Sequence, residues 1–170
     1  HAPIWTDEVR LWAETLRCAH PQNPQPLASF AGLHHRAGDY RRAVALYRAA
    51  IRRTGLTPED PAVLSFPRLL EGLSGAQGMN GDPHAELATA RRLVDAHPEV
   101  PRLRHGLALA LMHVGALAPA REQLELATAQ LPTSSPAHTL LANWTEVETA
   151  IQALNAPTRP AERARALARI

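Results

Sequence analysis

The sequence predicts an all-α chain of stacked helical hairpins, an α-α superhelix, and three observations carry that reading. First, a ladder of residues recurs. Ala43, Tyr47 and Ala50 in one stretch match Ala120, Leu124 and Ala127 in another, which is closed by Pro132. A more degraded ladder runs Ala90, Leu93, Pro98, and another Val9, Ala13, Leu16, Pro21. Pro98 and Pro132 stand 34 residues apart, a period of stacked two-helix units. Second, Ala, Leu and Arg dominate the composition, and all three favour helix. Third, Gly38-Asp39, Gly81-Asp82 and Gly115 break the chain between amphipathic stretches, and Pro21, Pro58, Pro98 and Pro132 follow their ends.

In order along the chain, Thr6 is a good N-cap for a helix to about His20, with Val9, Trp12, Ala13 and Leu16 on one face. Pro21, Pro24 and Pro26 stop it. A second helix covers roughly Pro26 to Ala37, Gly38-Asp39 breaks the chain, and a third runs from Tyr40 to about Arg53, ended by Gly55 and Pro58. The segment 58–66 is an insertion in a strict 34-residue frame, where Pro61 can start a short helix. Pro67 to Gln77 and Pro83 to His97 form a second hairpin around Gly81-Asp82, and Pro101 to Val114 with Leu117 to Leu131 a third around Gly115. Pro136 to Leu154 reads as one longer helix, and Pro160 to Ile170 as a short amphipathic one.

These residues carry a resemblance. Leu27, Phe30, Ala31, His34, Gly38, Asp39, Ala43, Tyr47 and Ala50 fit the pattern of a tetratricopeptide repeat, as do Leu107, Ala108, Leu111, Gly115, Ala120, Leu124, Ala127 and Pro132. Between them Leu70, Leu73, Ser74, Gly81, Asp82, Ala90, Leu93 and Pro98 form a weaker match, with Glu86 where a small Ala is usual and Gln77 in place of an aromatic. The chain therefore resembles a bacterial-type tetratricopeptide repeat protein over about three quarters of its length. The resemblance implies one solenoid over 1–170: a half repeat at 5–21, repeats at 24–57, 67–100 and 101–134, the insertion at 58–66, and capping helices over 135–170. Hairpins of this kind bury their apolar stripes by stacking on neighbours.

In this family the first helices line a concave inner surface. Carried over position by position, the resemblance implies a groove presenting Gln25, His35, Arg36, Arg68, Glu71, Gly75, Arg102, His105, Leu109 and Met112, with Ala28, Gly32, Gly78, Met79, His113, Thr139 and Asn143 beside them. Arg36, Arg68 and Arg102 are suited to a carboxylate or an acidic peptide through bidentate hydrogen bonds. The set with which some members clamp a C-terminal carboxylate is not reproduced, because Ala28 and Gly32 occupy two of its positions.

Chemistry is poorly represented. His34 and His35 point about 100° apart on a helix, and His105 and His113 are about 12 Å apart along one. No His-Glu-x-x-His or paired Cys exists, so no metal is expected. Cys18 is the only cysteine and sits near a helix C-terminus, where the dipole raises a thiol pKa. Ser74, Ser134 and Ser135 lack a nucleophile elbow, and no phosphate loop is present, so no cofactor is expected. The formal charge of +2 is too small to argue for nucleic acid, none is expected, and the basic face of Arg41, Arg42, Arg48, Arg52 and Arg53 reads as solvated. No apolar run is long enough to span a membrane.

The expectation is a non-enzymatic scaffold holding a partner peptide or helix in its groove, cytoplasmic, or periplasmic if the chain belongs to an exported or membrane protein. An alternative arises from the opening run Trp5-Thr6-Asp7-Glu8-Val9-Arg10-Leu11-Trp12. It is similar to the stretch that opens the repeat region after the last span of some bacterial polytopic membrane proteins, glycosyltransferase-like ones among them, and implies a soluble regulatory or assembly tail. His1 in place of Met fits a piece of something longer. Self-association through the terminal helices is a third expectation.

Overall fold

The computed structural model describes residues 10–11, 14–15 and 20–155, with side chains to 152. Among these every regular element is helical, and the chain divides into two compact units, residues 1–96 and 97–170. The expected helix over Thr6 to His20 lies mostly outside the described residues, although Arg10, Leu11, Glu14 and Thr15 are helical. The expected helix from Pro160 lies wholly outside them.

After those helical residues, the first unit continues with α1 (Gln25–Arg36), where the Asn23 side chain accepts a hydrogen bond from the Gln25 N–H at 3.0 Å. α2 (Tyr40–Arg53) is capped by Asp39, which accepts from the Arg42 N–H at 3.2 Å. α3 (Pro67–Met79) and α4 (Pro83–Ala96) follow, the latter opened by Asp82 accepting from the Ala85 N–H at 3.1 Å. The second unit holds α5 (Pro101–His113), α6 (Leu117–Thr128), α7 (Pro136–Ala142) and α8 (Trp144–Asn155).

The three hairpin turns share one chemistry. Gly38, Gly81 and Gly115 take φ of +81°, +84° and +79°, which only glycine adopts without strain. The next residue's N–H then bonds back across the turn: Asp39 to His34 O at 2.9 Å, Asp82 to Gln77 O at 3.0 Å, Ala116 to Leu111 O at 2.9 Å. This is the Schellman closure that satisfies otherwise orphaned helix-end carbonyls.

Small residues form the seam of each flanking hairpin. Ala31, Ala43 and Ala50 are fully buried between α1 and α2, as are Ala108, Ala120 and Ala127 between α5 and α6. Their size lets the paired helices approach closely, while Ile51, Leu70, Leu73 and Leu124 supply the bulk. The middle hairpin is built differently. Glu86 is 4 % exposed, and its carboxylate lies where a side chain on Gly78 would stand. Thr89 Oγ1 donates to Gln77 Oε1 at 3.1 Å, and Ser74 Oγ to Glu86 O at 3.1 Å. A polar seam with its hydrogen bonds made replaces the Ala-on-aromatic seam, which is the physical content of the weak repeat match.

The insertion is integral to the first unit. Pro61–Ser65 is a 3-10 turn started by Asp60, which accepts from the Ala62 N–H at 2.8 Å, and Val63 within it is fully buried. The Arg92 guanidinium of α4 donates to the carbonyls of Pro58 at 2.6 Å, Glu59 at 3.1 Å and Asp60 at 3.3 Å.

One expected element is corrected. The single helix from Pro136 to Leu154 breaks at Asn143, with φ −94° and ψ 17°. The break places Trp144 inward at 4 % exposure, and the Asn143 carbonyl starts the next helix by accepting from Glu146 and Val147. α6 also stops at Thr128, short of the expected Leu131; the Thr128 hydroxyl donates back to Leu124 O and Glu125 O at 2.9 and 3.0 Å.

Candidate functional site

Among the described residues, a recess of ligand size is found in each unit. In the first unit a recess of about 420 Å³ is lined by Gln25, Ala28, Ser29, Gly32, Leu33 and Arg36 of α1, Tyr47 of α2, and Arg68 and Leu69 of α3. Burial grades across it. Gln25, Ser29, Arg36 and Arg68 are exposed, whereas Leu33, Leu69 and Tyr47 are buried. The rim is therefore polar and cationic, and the floor is apolar apart from one phenol.

The position of that phenol follows from two glycines. Gly72 on α3 gives the Tyr47 ring its place: a Cβ there would fall 2.5 Å from Tyr47 Cε1 and 2.6 Å from Oη. Gly32 on α1 leaves the hydroxyl a window. A Cβ at Gly32 would sit 3.6 Å from Tyr47 Oη and 3.7 Å from Arg36 Nη1, so hydroxyl and guanidinium reach the recess at the same wall. Tyr47 is 9 % exposed, and among the described residues no hydrogen bond reaches its hydroxyl. Burial pushes the phenol pKa above its usual value; the Arg36 charge opposes that rise and the Glu71 charge adds to it. The hydroxyl therefore stays protonated at neutral pH and acts as a donor. Arg36 and Arg68 make no hydrogen bond or ion pair among the described residues.

In the second unit a recess of about 580 Å³ is lined by His105 and Leu109 of α5, Ser134 and Pro136 before and at the start of α7, Thr139, Leu140 and Asn143, and Val147 of α8. Its lining is mainly apolar, and burial holds the His105 pKa below its usual 6.5. The ring is thus neutral at pH 7.

Of the ten residues the sequence placed in the groove, Gln25, Arg36 and Arg68 meet around the first recess, and His105 and Leu109 around the second. The other five line neither. His35 and Gly75 face one another, with His35 Nε2 3.9 Å from where a Gly75 Cβ would be, and the His35 ring stands edge-on to Tyr40 at 5.4 Å. Glu71 is near enough to Tyr47 for its charge to act on the phenol. Arg102 is exposed at the start of α5, and Met112 is half-buried near its end. Reading the sequence by repeat position missed Tyr47 as a site residue, because its position reads as hairpin filling. Pro136, Leu140 and Val147 were missed because they lie beyond the last matched repeat; the break at Asn143 brings them together. Among the described residues no cluster of three or more His, Cys, Asp and Glu is placed to hold a metal ion, and no helix is long and apolar enough to cross a membrane.

No family model matches the chain, and no curated protein matches it.

Proposed function

We propose that this chain is a non-enzymatic scaffold of the tetratricopeptide type, which binds an extended segment or helix of a partner protein. The observation that carries the reading is the first recess. A polar rim of Gln25, Ser29, Arg36 and Arg68 surrounds a partly apolar floor, and among the described residues the Arg36 and Arg68 guanidiniums and the Tyr47 hydroxyl make no hydrogen bond. Ligand sites commonly combine apolar walls with a few convergent polar groups in this volume range. The recurrence of the Gly38, Gly81 and Gly115 turns and of the buried Ala seams supports the repeat assignment.

The test is selection of the full chain against a random-peptide display library. The expected result is a set of enriched peptides whose binding is weakened by Arg36→Gln or Arg68→Gln without loss of helicity. No enrichment over an unrelated helical protein would overturn the reading.

A further inference from the structure

We infer that the first recess is a subsite for the carboxylate of an acidic side chain, best a glutamate, on the bound partner segment. The inference rests on the scaffold reading and names the chemistry its partner must carry.

Three features point to an anion. Two guanidinium groups, Arg36 and Arg68, come from different helices to one recess and are engaged by nothing else among the described residues. Tyr47, a side chain only 9 % exposed, brings its hydroxyl to the recess without an acceptor among the described residues. α3 begins beside the recess with no side chain capping its N-terminus and no acidic residue in its first turn. Its positive end therefore adds to the same field.

The charge and the shape select among anions. Arg36 and Arg68 line the recess, and the charges that act on the phenol are those of Arg36 and Glu71. With the Glu71 charge beside the phenol, a single carboxylate charge is repelled less than a phosphoryl group, which at pH 7 brings about −1.5 to −2. Ala28, Leu33 and Leu69 form apolar wall between the exposed rim and the phenol. An aliphatic stem ending in a carboxylate fits that gradient: methylenes against the wall, one oxygen accepting from the Tyr47 O–H, the other from the guanidiniums. Gln25 and Ser29 at the rim are then free to meet the partner's backbone.

The Gly32 window offers a test that spares the fold. An alanine methyl there meets Tyr47 Oη and Arg36 Nη1 at ordinary contact distances, so it fits, yet it stands between those groups and a ligand. The experiment is a 15N–1H NMR titration of the full chain with the blocked tripeptide acetyl-Ala-Glu-Ala-amide. Parallel titrations use the Gln peptide, the phosphoserine peptide, and acetyl-Ala-Ala-Ala with a free C-terminal carboxylate. The expected result is saturable shifts at the Ser29, Gly32 and Leu69 amides, with a dissociation constant on the order of millimolar. Gly32→Ala, Tyr47→Phe and Arg68→Gln should each weaken binding about tenfold, the effect of losing or blocking one charge-assisted hydrogen bond. Lack of saturation with the Glu peptide overturns the inference. So does an equal response to the Gln peptide, or a stronger one to the phosphoserine or free-terminus peptide. Display-selected peptides that bind without an acidic residue would also overturn it while leaving the scaffold reading intact.

Discussion

Adding one methyl group at Gly72 should unseat Tyr47. The new Cβ would stand 2.5 Å from Tyr47 Cε1 and 2.6 Å from its Oη, about 1 Å inside ordinary van der Waals contact. The clash is with a ring that is 9 % exposed and fixed between helices, so it cannot swing into solvent. Overpacking of this kind costs about 1–3 kcal/mol. Alanine in a helix interior regains about 0.5–1 kcal/mol over glycine. The net expectation is a loss of about 0.5–2 kcal/mol. Urea unfolding followed by circular dichroism at 222 nm reads it: with a slope of about 2 kcal/mol/M, the midpoint falls by roughly 0.3–1 M. The double variant Gly72→Ala/Tyr47→Leu should recover part of the loss, because leucine leaves the ring positions empty. Gly72→Ala as stable as the parent would refute the close approach of α2 to α3 on which the recess depends.

Four further outcomes follow from the same packing. At Gly106, inside α5, a Cβ meets nothing within 4 Å, so Gly106→Ala should raise stability by about 0.5–1 kcal/mol in the same urea assay. Tyr47→Phe removes a hydroxyl that has no hydrogen-bond partner among the described residues, so thermal unfolding should show no loss of stability, and a drop above about 1 kcal/mol would mean the hydroxyl is bonded. Arg92→Ala deletes the donor to three carbonyls of the insertion and should cost about 1–2 kcal/mol, with faster amide exchange at Val63 as the local readout. His105 has a folded-state pKa below its unfolded 6.5, so its stability contribution is complete above about pH 6.5 and is lost as pH falls from there through the folded value; His105→Gln should flatten stability between pH 7 and 5.

The hairpins were legible because their signals are local. Gly38, Gly81 and Gly115 mark turns that need positive φ, and the alanine ladders mark seams that need small side chains. Helix bounds read from those signals agree with the structure to within about three residues, where the neighbours say little of the last turn. The break at Asn143 was not legible, since Asn inside an apolar stretch is tolerated in many helices; burial of Trp144 decides it, and that is a tertiary effect. The insertion was visible as a break in the 34-residue frame, but its anchor was not: Arg92 looks like any exposed helical arginine until its three carbonyl partners are in place. The site was half legible. Repeat position led to Gln25, Arg36 and Arg68, yet Tyr47 reads as core at the level of sequence. It becomes a site residue only because two glycines on neighbouring helices, Gly32 and Gly72, leave room for its ring and a window for its hydroxyl.

The most direct measurement is a crystal structure of the full chain with a display-selected peptide. The expected result is a peptide glutamate seated between Arg36 and Arg68 with one carboxylate oxygen within hydrogen-bond distance of the Tyr47 hydroxyl. A peptide bound away from these three residues, with the Tyr47 hydroxyl still lacking an acceptor, would contradict the assignment.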